Sequence, residues 1–369
     1  MYRISLFALL LVLPLSSDVS AQPLNPKNVI LFVGDGIGLE HVKLARMYAN
    51  GNTQPFNFET FPHFATMTHN NAANGTTDSA ASGTALATGV KVNNGVVSKR
   101  IPGDGADLLT SLEIMKSRGK RTGLVTKATH ITDATPAAFG AHVTDRSDRT
   151  GIFNDYMFGS RPNVLFGQTR SGVINETTAT NQGYTILRNA TDLNNFNPAS
   201  TSRVLGHWTA ANEPSLSLMT DKALGLLSLD NDGFFLMVED EDPDNGGHDN
   251  DPTPVKDGVL SLVSAVQVAL DWAATRTDTL VIVAADHETG GLTVLQNNGA
   301  GVMPTVSWTT TGHTQTPVGV WAMGPNSSLV SGQIDNTDIF TIVTAVPEPA
   351  ALALIPMGSL LLLRRRRAA

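Results

Sequence analysis

Three runs of apolar residues, each the length of a strand, set the rhythm of the chain: Val29 to Val33, Phe234 to Val238 and Leu280 to Ala285. They are apolar at every position and rich in β-branched or aromatic side chains, the pattern of strands covered on both faces. Shorter candidates run from Thr122 to Thr126 and from Val318 to Ala322. Between these segments the apolar positions recur at helical spacing, which predicts helices over Leu39 to Ala49, Leu108 to Arg118, Leu216 to Leu229, Val255 to Ala274 and Asp338 to Ala345. Strands alternating with helices point to an α/β fold. Its sheet would be parallel and flanked by helices, with ligands beyond the carboxyl ends of the strands.

Those ends carry polar, metal-capable residues. The first run passes into Gly34-Asp35-Gly36, the second into Glu239 and the third into Asp286-His287-Glu288. Asp35 sits in a G-x-G-x-G spacing, which is not the dinucleotide fingerprint, and a turn-forming aspartate is the plainer reading. Asp286 and His287 are costly to desolvate at a buried strand end unless something pairs with them, although a hydrogen-bonded core histidine would also satisfy the pattern. Glu239 to Asp251 packs seven carboxylates around His248. Such a loop repels itself unless cations neutralise it or it lies solvated on the surface. Its Asp240-x-Asp242-x-Asp244-Asn245-Gly246 spacing shares part of a calcium loop, but the glycine is one place late and the distal glutamate is missing.

Thr77 to Ala87 begins polar and small, turns alanine-rich and runs into Gly89. This reads as a helix start at which Ser79 is either a cap or a nucleophile beside backbone N–H groups that suit a phosphate. His313 lies in Thr311-Gly312-His313-Thr314, just before the last strand candidate. Arg146 offers a fork for two phosphate oxygens, or a surface pair with Asp145 or Asp148.

Composition narrows the chemistry. The 369 residues include no cysteine, so disulfides, thiolate ligands and a cysteine nucleophile are excluded, and metals must be held by His, Asp, Glu and hydroxyls. The net charge of −8 repels nucleic acid backbones, and no nucleic acid binding is expected. Residues 1–21 fit a secretory signal peptide, with Arg3, an apolar core from Leu6 to Leu15 and the small ending Val19-Ser20-Ala21. The other end, 346–369, reads Val346-Pro347-Glu348-Pro349, an apolar run from Ala350 to Leu363 and arginines from Arg364 to Arg367. It resembles the PEP-CTERM sorting tail of exported Gram-negative proteins, implying transient membrane anchorage and an exosortase partner; a plain C-terminal anchor is the alternative. The resulting location would be the periplasm, outer surface or extracellular matrix. The intervening 22–345 are enough for one large domain.

Seven motifs together resemble the alkaline phosphatase family, in the family's order: Asn28 to Gly38, Thr77 to Ser82, Asp133 to Ala138, Met219 to Ala223, Gly233 to Glu239, Ala285-Asp286-His287 and Gly312-His313-Thr314. The resemblance implies a three-layer α/β/α sandwich around a mostly parallel central sheet, and hydrolysis of phosphate monoesters at alkaline pH. It implies Ser79 as nucleophile, forming a phosphoserine, and Arg146 as the ligand of the non-bridging oxygens. One zinc would be held by Asp35, Asp286 and His287, a second by Asp244, His248 and His313. A magnesium-like third site would be formed by Asp35, Thr135 and Glu239, with Asp133 orienting water there or Arg146. Homodimerisation is a family habit. Asn245 departs from the lysine or histidine often found beside the metal ligand, and Phe166-Gly167-Gln168 departs from a glycine-rich turn. Other readings are a phosphodiesterase or sulfatase-like relative on the same fold, and a non-catalytic calcium-binding surface or matrix protein.

Overall fold

The computed structural model describes residues 26–345. The signal-peptide and sorting-tail expectations, on 1–21 and 346–369, lie outside the described residues. In chain order the strands are β1 (Asn28–Gly34), β2 (His63–Thr68), β3 (Arg121–His130), β4 (Val164–Gln168), β5 (Thr185–Leu187), β6 (Val204–Trp208), β7 (Phe234–Asp240), β8 (Thr279–Ala285), β9 (Glu288–Thr289), β10 (Thr293–Gln296), β11 (Thr305–Ser307), β12 (His313–Thr314), β13 (Val318–Met323) and β14 (Gly332–Asp335). The α-helices are α1 (Leu39–Asn50), α2 (Ser79–Thr88), α3 (Ser111–Ser117), α4 (Ala134–Gly140), α5 (Arg149–Asn154), α6 (Glu176–Asn181), α7 (Ala190–Asn195), α8 (Leu216–Leu227), α9 (Asp242–Asp249), α10 (Pro252–Ala273) and α11 (Asn336–Thr344).

Ten strands form one sheet in the order β14-β2-β13-β8-β1-β7-β3-β4-β6-β5. All its pairings are parallel except those of β13, which runs against both β2 and β8. Every residue of β1, β7 and β8 is buried, as unbroken apolar runs require of central strands. Their register positions the chemistry. Gly34 at the end of β1 lies beside Asp240 of β7 and Ala285 of β8, so Asp35 and Asp286 emerge next to each other and close to Glu239.

Helix α2 is buried along its whole length and packs against α4 and α11. That explains its alanine, serine and glycine content: a Cβ on Gly83 would stand 3.1 Å from Ala138 Cβ, tighter than ordinary contact.

Three departures from the sequence expectations have local causes. Helix α3 starts at Ser111 and not Leu108, because Thr110 and Glu113 form a capping box in which Glu113 accepts from the Thr110 N–H at 2.9 Å. Strands β4, β5 and β6 lie where the apolar pattern predicts no element, and Phe166-Gly167-Gln168 lies inside β4, where a Cβ on Gly167 would come within 2.7 Å of Thr126 Cγ2. Asp242 to Asp249, expected as an acidic loop, is helix α9. Pro243 suits its first turn, and its glycines permit close approach: a Cβ on Gly247 would lie 2.8 Å from Thr289. Helical backbone here also replaces the wrapped ligand loop that a calcium site of this spacing would need. Among the described residues, no helix is long and apolar enough to cross a membrane.

Candidate active site

Asp78 caps α2, accepting from Ala81 N–H at 2.9 Å, so Ser79 is the first helical residue and not the cap. The hydroxyl is therefore free of capping duty. It sits 3.3 Å from His287 Nε2, almost buried at 5 % exposure, with the positive end of a ten-residue helix behind it. The other Asp78 oxygen accepts from Gly95 N–H at 2.9 Å and from Arg146 Nη1 at 3.2 Å. The cap thus ties Arg146 to the serine. Asp145 and Asp148 are occupied elsewhere, by Ser147 N–H and by the start of α5, so the surface pairs expected as an alternative are not formed.

Behind Ser79 the strand ends converge. His287 Nε2 lies 3.2 Å from Asp286 Oδ2 and 3.5 Å from Asp35 Oδ1. Gly36 turns the chain after Asp35 at φ +72°, and a Cβ there would strike Asp244 Cα at 2.7 Å; its N–H donates to Asp286 Oδ1 at 3.2 Å. Helical spacing puts Asp244 and His248 on one face of α9, with His248 Nε2 3.2 Å from Asp244 Oδ2. His313, from the β12–β9 ribbon, approaches Asp244 Oδ1 at 3.4 Å and stacks on His287 with ring centroids 3.6 Å apart. Thr135 at the start of α4 lies 3.5 Å from Asp35 Oδ2, and Glu239 accepts from Thr126 Oγ1 at 2.5 Å.

The donor chemistry fits cations. Three groups each bring ligand atoms within 4.8 Å of one another: Asp244, His248 and His313; Asp35, Asp286 and His287; and Asp35, Glu239 and Glu241. Asp35 Oδ1, Asp286 Oδ2 and Glu239 Oε1 are buried without a hydrogen-bond partner, an arrangement that costs several kcal/mol per charged group unless a cation is present. His248 Nδ1 faces the Thr311 carbonyl at 2.6 Å and His313 Nδ1 the Thr77 carbonyl at 2.8 Å. Each carbonyl fixes the ring proton on Nδ1, so two Nε2 lone pairs converge 3.1 Å apart. Only a proton or a metal relieves that contact.

The protein groups alone titrate abnormally. Burial, followed by the charges of Asp286 and Asp244, pushes Asp35 well above the usual carboxylate range. Burial and Asp244 push Asp286 up to about 7, and burial and Glu241 raise Glu239 strongly. Burial works to raise Asp244 too, but hydrogen bonds to His248 and His313 hold it well below the ordinary value. The Asp244 hydrogen bond in turn raises His248 to about 9. Burial, with the nearby His313 charge, holds His287 well below the ordinary imidazole range, a neutral ring fit to ligate.

All the metal-ligating candidates named from the sequence come together here, and Arg146 is tied through Asp78 to the start of α2 that carries Ser79. Asp133 does not reach Arg146. It pairs with Arg149, and its Oδ2 accepts from His130 N–H at 3.2 Å. Sequence reading missed Glu241 and Thr289. The Thr289 hydroxyl donates to Asp244 Oδ1 and lies 3.3 Å from His287 Nδ1, bridging two ligand groups. Nothing in a lone threonine marks this, whereas the alternating acids Glu239 and Glu241 carry a readable signal of period two.

The family model described as Alkaline phosphatase matches residues 26–156 and 167–305. The chain is 30% identical to the alkaline phosphatase of Escherichia coli (strain K12), over 90% of this chain and 88% of that one. It is 32% identical to the streptomycin-6-phosphate phosphatase of Streptomyces griseus, over 92% and 95%. Among solved structures, the cold-active alkaline phosphatase of the psychrophile Shewanella sp. aligns with a TM-score of 0.78 at 27% identity, covering 87% of this chain and 100% of that one. A mutant of TAB5 alkaline phosphatase, from an Antarctic bacterium, with Mg bound in its M3 site aligns with a TM-score of 0.76 at 27% identity, covering 89% and 100%.

Proposed function

Because the chain belongs to the alkaline phosphatase family and is a phosphatase enzyme, we propose that it hydrolyses phosphate monoesters by passing the phosphoryl group through Ser79. The observation that carries this reading is the Ser79 hydroxyl, released from capping and 3.3 Å from Nε2 of His287, which belongs to the ligand group of Asp35, Asp286 and His287. Two zinc ions are the proposed cofactors, one on Asp35, Asp286 and His287 and one on Asp244, His248 and His313, with a magnesium-like ion on Asp35, Thr135 and Glu239. When bound, such ions lower the pKa of the serine hydroxyl and stabilise the leaving oxygen as Lewis acids.

The chain's own groups do the rest. Ser79 Oγ loses its proton to solvent and forms a bond to phosphorus as the ester P–O bond breaks. The departing oxygen takes its proton from solvent. Arg146 holds two non-bridging oxygens, kept in place by Asp78, while the N–H groups that open α2 donate to the remaining charged oxygen. Water then attacks the phosphoserine, releasing inorganic phosphate and restoring the hydroxyl.

Replacing Ser79 with alanine tests the assignment. Hydrolysis of an aryl phosphate is expected to fall by about 10³-fold or more with the metal content unchanged; undiminished turnover would remove Ser79 from its role. Export, sorting by an exosortase and a homodimeric state complete the proposal. Detection of a shortened, released form of the protein supports tail cleavage, and finding only full-length, membrane-bound protein counts against it.

A further inference from the structure

Strand β7 leaves the sheet through three consecutive acids, Glu239, Asp240 and Glu241. Period two sends them to alternate sides. Asp240 turns toward Lys127, with Nζ 3.6 Å from Oδ2, while Glu239 and Glu241 share the side of Asp35, their carboxylate oxygens and that of Asp35 all within 4.8 Å of one another.

Three observations separate this from an ordinary acidic cluster. Glu239 is fully buried and Asp35 only 2 % exposed, yet Glu239 Oε1 and Asp35 Oδ1 have no hydrogen-bond partner. Glu241 holds the N-cap position of α9, but its side chain makes no capping hydrogen bond. It lies instead beside the Thr129 hydroxyl. The neighbouring guanidinium groups are engaged elsewhere, Arg146 with Asp78 and Arg149 with Asp133. Three carboxylates facing one point with two orphaned oxygens repel one another when ionised unless a cation joins them.

We propose that Glu241 is a ligand of the cation at Asp35, Glu239 and Thr135, making a three-carboxylate, all-oxygen site for a hard divalent ion such as Mg²⁺ or Mn²⁺. The inference rests on the reading of this centre as a metal site. A third carboxylate replaces one of the waters that Mg²⁺ normally keeps and adds negative charge, so the ion is held more tightly than by two carboxylates and a hydroxyl.

The test uses the purified protein, stripped with a chelator, reloaded with Zn²⁺ and titrated with Mg²⁺ in a calorimeter, beside Glu241→Gln and Glu241→Asp. Glutamine keeps the size of the side chain and removes its charge. Wild-type protein is expected to take up one Mg²⁺ beyond its zinc. Glu241→Gln should keep its zinc and its melting temperature in the zinc-loaded form, yet bind Mg²⁺ about 10-fold or more weakly, with Glu241→Asp intermediate. Bound Mn²⁺ should show a changed electron paramagnetic resonance spectrum in the glutamine variant. Unchanged Mg²⁺ affinity in Glu241→Gln overturns the role of Glu241 and leaves the third site standing. Absence of any Mg²⁺ uptake by wild-type protein overturns both.

Discussion

Ser79 and Arg146 depend on a single carboxylate. Asp78 caps α2, accepts from Gly95 and anchors the guanidinium, so its two functions can be separated by substitution. Asp78→Asn retains an acceptor for Ala81 N–H and should melt close to wild type. Asp78→Ala should lose about 1 kcal/mol of stability from the missing cap, read in a denaturant titration. Both variants lose the charge that holds Arg146, and both should show a raised KM for phosphate esters. Arg146→Ala is expected to lower kcat/KM by about 10²-fold without altering metal content, measured by steady-state kinetics and elemental analysis. Asp286 and His287 are legible in the amino-acid sequence, because burying them at a strand end without partners is expensive, whereas Asp35 reads more plainly as a turn residue and His313 gains its role only through the family resemblance. Thr289 and Asp78 are not, since a hydroxyl or a helix cap has many ordinary uses and its partners lie far away in the chain.

The strands β1, β7 and β8 are readable as unbroken apolar runs, and their ends mark the site. Their order in the sheet is not, because every fully apolar strand fits every central slot equally well. Strands β5 and β14 escape for a different reason: they are short edge strands with exposed positions and no period long enough to count. Helix α9 is hidden by its composition, as Gly246 and Gly247 oppose helix formation and are retained by contact with β9 and α10. A methyl group at position 247 tests that contact. Gly247→Ala would bring Cβ to 2.8 Å from Thr289, and the overpacking should cost about 1–3 kcal/mol and displace Asp244 and His248 from His313. A drop in zinc affinity together with the stability loss is the expected result in calorimetry; a stability loss alone would mean that α9 moves as a rigid piece with its ligands.

The assembled protein balances a strongly acidic centre against the sheet that carries it. In metal-stripped protein, His248 has a folded pKa of about 9, above its unfolded value of 6.5, so its contribution is full below pH 6.5 and lost as pH rises through 9. Asp286, raised to about 7 from 3.8, favours the folded state less as pH climbs over that interval. Among groups with lowered values, Asp244 has finished titrating below this window and His41 and His287 finish close to its lower edge, while Lys116, lowered to about 8, opposes the fall only at its upper edge. The melting temperature of stripped protein should therefore fall between pH 6.5 and 9, and Zn²⁺ with Mg²⁺ should raise it and flatten that slope, as read by scanning calorimetry; a rising slope would contradict the assigned protonation states. The central claim, that the phosphoryl group passes through Ser79, is tested most directly by incubating the metal-loaded protein with inorganic phosphate at acid pH, quenching, and sequencing peptides by mass spectrometry. One phosphoryl group on Ser79, absent from Ser79→Ala, is the predicted result. Label on another residue, or none on an enzyme that turns over aryl phosphate, would contradict it.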